Sequence, residues 1–288
     1  MKQRVISGVV IAAVIVGFGL IGGYPLAALM MVSSMIGFQE LARAAGVLEA
    51  SEKANVLTGL ALAAAVIYYT GLMLLQFRWG ASPDRLVFAS DLFTVMIIIA
   101  AFILLMTAYV FTFPRFKAEQ VMASFFSFVY APVLLSFVYR SRELPYGIFM
   151  YALIFVCSSV ADTCALAAGM AFGKHKMAPV LSPKKTVEGA AGGVIGSAVC
   201  SLLLSFLAGR MYPEAAFGAV FVIIGICGSL VGMVGDLAAS AIKRNHGIKD
   251  YGNLIPGHGG IMDRVDSILF TAPLIYILGV FLLGTAGL

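Results

Sequence analysis

Long apolar stretches recur from one end of the chain to the other, each broken by a short polar or Gly/Pro-containing segment. A helix that crosses a bilayer takes ~20 predominantly apolar residues. The pattern therefore predicts nine helices, near 5–22, 25–42, 55–76, 87–112, 120–139, 146–172, 190–209, 215–238 and 267–286. Pro25 separates the first two across a short uncharged turn. The first run follows Lys2 and Arg4 and meets no small-residue cleavage site before the next, so it is expected to stay as a helix and not leave as a signal peptide. No repeat of fixed period emerges.

Composition agrees. Of 288 residues 61% are hydrophobic and 11% charged, with mean hydropathy +1.00, whereas soluble domains carry about 25% charged residues. A water-soluble globule and a disordered chain are both excluded. The expected class is all-α: a polytopic integral membrane protein with about nine transmembrane helices. Cys157, Cys164, Cys200 and Cys227 lie in apolar runs without a CxxC pair, which predicts buried free thiols.

Charge gives the orientation. Fourteen of the 19 Lys and Arg residues fall on the N-terminus and the even-numbered connections. By the positive-inside rule the N-terminus and the polar loops 173–189 and 239–266 face the cytoplasm, and the C-terminus lies outside. The net charge of +5 is scattered through short loops, which argues against nucleic-acid binding. Residues 1–150 read as a scaffold of spans, with lipid access or dimer contacts as roles. Residues 151–288 hold nearly all the unusual chemistry, including Asp162 and Asp236 inside or at the ends of apolar runs. A carboxylate there costs ~2.5–3.5 kcal/mol on insertion scales and is by default a functional candidate.

The richest segment runs from Ser240 to Asp266. It places Lys243, Arg244, Lys249, Arg264, Asp250, Asp263, Asp266, His246 and His258 between two apolar helices. Carboxylates that hold a divalent cation beside cations that cover phosphate charge suit a phosphate-rich ligand. Gly257, Gly259 and Gly260 would let backbone N–H groups reach phosphate oxygens. The plain alternative is a solvated connector with a turn at Pro256–Gly260. Asp263 and Asp266, three apart, share a face if a helix begins there; one is expected as metal ligand, the other as a cap or ion-pair partner. Asp236, Ser240 and Lys243 form one stripe on a helix that enters the loop.

The second segment carries Asp162, then Lys174-His175-Lys176, then Ser182-Pro-Lys184-Lys185-Thr186-Val-Glu188. Ser182 or Thr186 is placed to cap the next helix, with Glu188 completing the cap. Lys184 and Lys185 point in different directions, so one of them is expected to meet a given phosphate. Lys174 and Lys176 read as headgroup anchors and His175 as a loop residue. The glycines at 189, 192, 193, 225, 228, 232 and 235 read as close helix packing, which also makes a homodimer reasonable.

The run Ser240-x-Ile-Lys-Arg-x4-Lys249-Asp250 through Pro256-x-His258-Gly-Gly260-x2-Asp263-Arg264-x-Asp266 resembles the signature of the phosphatidate cytidylyltransferases, the CDP-diacylglycerol synthases. The segment 162–193 is similar to that family too, apart from Leu166, where an aromatic is expected. The resemblance implies synthesis of CDP-diacylglycerol and pyrophosphate from CTP and phosphatidic acid, with Mg²⁺ and a second cation left open, at the cytoplasmic face of the inner membrane. On that reading Asp236 and Asp263 hold the metal, supported by Asp162 or Asp266. Lys243, Arg244, Lys249 and Arg264 bind triphosphate or lipid phosphate with help from Lys185, and His258 orients a phosphate. Ser182, Lys184, Ser240, Asp250, Gly259 and Gly260 complete the substrate-binding set. The competing readings are a CTP-dependent polyprenol or phytol kinase and, ranked below it, an ion-coupled transporter.

Overall fold

A computed structural model describes residues 2–48, 52, 54–76, 83–213, 217–255 and 259–283. The helices are α1 (Lys2–Ile21), α2 (Gly23–Ala44), α3 (Val56–Gln76), α4 (Pro83–Thr112), α5 (Ala118–Phe128), α6 (Leu134–Arg142), α7 (Gly147–Phe155), α8 (Ala161–Phe172), α9 (Val187–Met211), α10 (Gly218–Asn245), α11 (Met262–Val265) and α12 (Ile268–Leu283). Among the described residues seven helical stretches are long and apolar enough to cross a membrane, and the shorter apolar helices Ser7–Ile21 and Ile268–Leu283 occupy the first and last predicted positions. The chain is an all-α membrane protein. The largest difference from expectation is α10, which runs on to Asn245 and so keeps Asp236, Ser240 and Lys243 on one helix.

Two stretches are helices widened by a π-turn. Val129–Val133 links α5 to α6 and contains Pro132, which has no N–H to offer and disturbs the regular helical ladder. Val156–Val160 links α7 to α8 and ends two residues before Asp162. Such bulges are frequent at functional sites.

The chain forms two compact units, Met1–Tyr139 with His246–Arg264, and Arg140–Asn245 with Val265–Leu288. In the first, buried hydroxyls are satisfied within the apolar packing: Tyr68 bonds Ser136 at 2.9 Å and Thr94 at 3.1 Å, while Tyr69 donates to the Pro132 carbonyl at 3.1 Å. In the second, glycines let helices touch. A Cβ on Gly228 would meet Cys157 Sγ at 2.6 Å, one on Gly189 the Ala165 carbonyl at 2.8 Å, and one on Gly232 Thr271 Cγ2 at 2.9 Å. The small-residue faces are thus filled by this chain's own helices. The four cysteines are free; Cys157 is buried, the other three only half-buried.

Loop 173–189 holds more structure than a polar connector. Strands β1 (Lys176–Ala178) and β2 (Ser182–Thr186) pair antiparallel, Lys176 opposite Thr186 and Ala178 opposite Ser182. Thr186 caps α9 by accepting the Gly189 N–H at 3.1 Å. Glu188 does not complete that cap. Its carboxylate accepts the backbone N–H groups of Lys174 (3.1 Å) and His175 (3.2 Å) and meets His175 Nδ1 at 2.6 Å, pinning the start of the hairpin.

Candidate active site

In the second unit three backbone elements bring charge to one place. The π-turn and α8 present Asp162, β2 presents Lys184 and Lys185, and α10 presents Asp236. Lys185 Nζ is ion-paired with Asp236 Oδ2. Asp162 lies close enough to both for their charges to act on it. Asp266, in the turn before α12, completes the group: its carboxyl is pushed up to about 7, first by burial and then by Asp236, with Asp162 adding to the effect. The Ser267 N–H, which donates to Asp266 Oδ1 at 2.8 Å, and the Lys243 ammonium pull the other way. Like charges close together raise proton affinity, and a cation placed among them lowers it.

A pocket of about 510 Å³ opens at this cluster. Asp162, Lys184, Lys185 and Asp236 line its polar side, and Leu166 and Met170, both largely exposed, its apolar side. Polar head and apolar tail chemistry therefore sit within one cavity. Ser182 begins β2 and is half-buried, Ser240 is half-buried one turn beyond Asp236, and Arg244 is exposed near the end of α10.

The rest of the predicted set falls in the first unit. Lys249, Asp250 and Arg264 are exposed. Asp263 is buried, and its Oδ2 accepts the N–H groups of Tyr251 (2.8 Å) and Gly260 (3.0 Å). Gly259 adopts φ +82°, a left-handed conformation suited to glycine, and a Cβ there would meet Asp263 Oδ2 at 2.9 Å. The oxygen that the Gly260 N–H reaches is thus the chain's own carboxylate. His258, with Pro256 and Gly257, lies outside the described residues. α11 is a single turn and α12 starts afresh at Ile268, so Asp263 and Asp266 do not share a helical face. The carboxylates that keep company with Asp236 are Asp162 and Asp266.

One residue was missed. Glu40, inside the apolar run of α2, is 6% exposed and accepts the N–H groups of Ile261 (3.1 Å) and Met262 (2.9 Å). The rule that singled out Asp162 and Asp236, a carboxylate within an apolar span, applies equally to Glu40.

A model of the cytidylyltransferase family matches residues 2–282. The chain belongs to that family. Among curated proteins it is 32% identical over 281 residues to the phosphatidate cytidylyltransferase of Bacillus subtilis, covering 96% of this chain and 97% of that one. It is 31% identical over 280 residues to the protein of that name from Staphylococcus saprophyticus, covering 96% and 98%. A Staphylococcus aureus protein of the same name is 38% identical over 165 residues, 57% of this chain and 61% of that one.

For a member of the cytidylyltransferase family, the donors at Asp162, Asp236 and Asp266 have the chemistry of a Mg²⁺ site. All are oxygen ligands, and burial together with the neighbouring Asp236 raises the proton affinity of Asp266. Among the described residues no three His, Cys, Asp or Glu side chains close into a ready-made metal cage. Mg²⁺ bound by one or two of these carboxylates would take its other ligands from substrate phosphates and water.

Proposed function

We infer that this chain is a phosphatidate cytidylyltransferase, an integral membrane enzyme that makes CDP-diacylglycerol and pyrophosphate from CTP and phosphatidate. The observation that carries the reading is Lys185 beside the carboxylates of Asp162 and Asp236, at a pocket with one polar and one apolar side, in a chain whose residues 2–282 match the cytidylyltransferase family.

A phosphate oxygen of phosphatidate attacks the α-phosphorus of CTP. The bond from that phosphorus to the oxygen bridging the β-phosphate breaks, and pyrophosphate leaves with the electron pair. The lipid brings its own nucleophile, so the protein needs no Ser-His-Asp triad. Its work is in-line positioning and neutralisation of charge. Lys184 and Lys185, which both line the pocket, draw in the triphosphate, while Ser182 and Ser240 supply hydroxyl donors. Lys243 and Arg244 extend the positive field along α10; Lys249 and Arg264 are the cations of the signature loop, and His258, which glycines flank in the sequence, would orient a phosphate. Asp162, Asp236 and Asp266 would hold Mg²⁺, which when bound supplies Lewis-acid stabilisation of the transferring phosphoryl group. Asp263, whose Oδ2 accepts two backbone N–H groups that fix its carboxylate, is the signature loop's own candidate metal ligand.

The chain would cross the inner membrane nine times, with the short apolar helices at both ends as the first and last crossings. The N-terminus, the hairpin and the signature loop would lie in the cytoplasm and the C-terminus outside. Lys and Arg asymmetry supports that orientation.

The test is CTP- and phosphatidate-dependent pyrophosphate release by purified protein, with and without Mg²⁺. CTP labelled at the α-phosphate is expected to label the lipid. Label passing from the γ-phosphate would instead make the protein a lipid kinase.

A further inference from the structure

The buried Glu40 carboxylate is unexplained by anything in the reaction, yet the signature loop is built around it. Each of its oxygens receives a backbone N–H, Oε1 from Ile261 and Oε2 from Met262. Two glycines of the loop owe their lack of a side chain to it. A Cβ on Gly252 would lie 2.5 Å from Oε1 and 2.9 Å from Cδ, and one on Gly260 would lie 2.5 Å from Cδ. Neither glycine has a positive φ, so backbone strain does not demand glycine there; the carboxylate does. One turn earlier on α2, Gly37 leaves room for the buried Met262, whose Sδ would be 2.9 Å from a Cβ at that position. Asp263 then closes the same turn through Tyr251 and Gly260.

We propose that Glu40 is a positioning residue of the reaction: from α2 it holds Gly252 and the turn Gly259–Arg264 in their working shape. This rests on the cytidylyltransferase reading given above. Charge-assisted bonds from a carboxylate to backbone N–H groups are about twice as strong as neutral ones. Their loss leaves two largely buried N–H groups without an acceptor. Its oxygens face the backbone of the loop, so its effect runs through the residues they hold.

The experiment is a double-mutant cycle in the full chain, purified in detergent. Glu40→Gln, Glu40→Ala, Gly252→Ala and the Glu40→Ala/Gly252→Ala double variant are compared by kcat, by KM for CTP and by melting temperature. Glu40→Gln keeps shape and one acceptor oxygen, so it is expected to melt within a few degrees of the parent while kcat falls about tenfold or more. Gly252→Ala is expected to cost about as much alone, and less than about twofold when Glu40 is already alanine, because the clash has gone. Glu40→Ala is expected to lose more activity than Glu40→Gln. If Glu40→Ala does not fold, Glu40→Gln and Gly252→Ala carry the test. Folded Glu40→Gln with near-parental kcat overturns the proposal, as does loss of activity only in proportion to unfolded protein, or a Gly252→Ala penalty that is the same with and without Glu40. A parent chain that forms no CDP-lipid overturns the functional reading itself, and the positioning role with it.

Discussion

The Lys185 ammonium and the Asp236 carboxylate are joined in an ion pair. The strand that brings the cation and the helix that brings the anion are separated in sequence by all of α9. On the proposed function each side chain holds the other's place until substrate and metal arrive. Triphosphate would take the ammonium, and a divalent cation the carboxylate. Asp236→Asn is therefore expected to reduce CDP-lipid formation by about 10²-fold or more, the usual cost of losing a charge-stabilising group. Lys185→Met should act chiefly by raising KM for CTP. Steady-state assays of both variants check this, and near-normal turnover in Asp236→Asn would remove that residue from the site.

Asp266 gives a pH dependence with a definite sign. Its carboxyl is held near 7 by burial and by Asp236, so below neutral pH it carries a proton that a metal must displace. Mg²⁺ affinity is expected to be nearly flat above pH 8. It should weaken by up to about tenfold per unit as pH falls below 7. Asp266→Asn should flatten that slope. Mg²⁺ titrations of activity from pH 5.5 to 8.5 measure it, and an unchanged slope in the variant would assign the titration elsewhere.

The hairpin start depends on Glu188. Glu188→Ala removes the acceptor for the Lys174 and His175 N–H groups, and is expected to speed tryptic cleavage at Lys174 and Lys176 while raising KM for CTP. His175→Ala should do much less, because the two backbone bonds survive and the exposed ion pair contributes little. Limited proteolysis of both variants separates the backbone from the ring contribution.

Packing in the second unit is tight enough to predict. Gly228→Ala drives a methyl toward Cys157 Sγ and should destabilise by about 1–3 kcal/mol, the common cost of overpacking. Adding Cys157→Ala removes the sulfur and should recover part of the loss. Thermal melts in detergent measure both steps.

Most of the helices could be read directly because a bilayer imposes one length on every span. Val56–Gln76 was expected at 55–76, and Val187–Met211 at 190–209. The glycine rows were legible for the same reason: small residues in an apolar helix have few uses besides close approach. Asp162 and Asp236 could be singled out because charge near an apolar segment is costly, and Lys185 because its segment resembles the family. What could not be read was which carboxylates meet. Asp263 and Asp266 looked like neighbours on one helix, yet a single break after Val265 sends them to different partners. The hairpin escaped notice because Ser-Pro-Lys-Lys-Thr has no apolar alternation to mark a strand. Glu40 escaped because its partners are backbone groups more than two hundred positions away, and backbone groups leave no trace in residue identity.

The segment from His246 to Arg264 is grouped with the first half of the chain, whereas the helices on either side of it belong to the second. Protein engineers tempted to express the motif-rich C-terminal portion alone would therefore cut away the very anchor, on α2, that shapes the motif. A split version of this molecule stands a chance only if both fragments are supplied together.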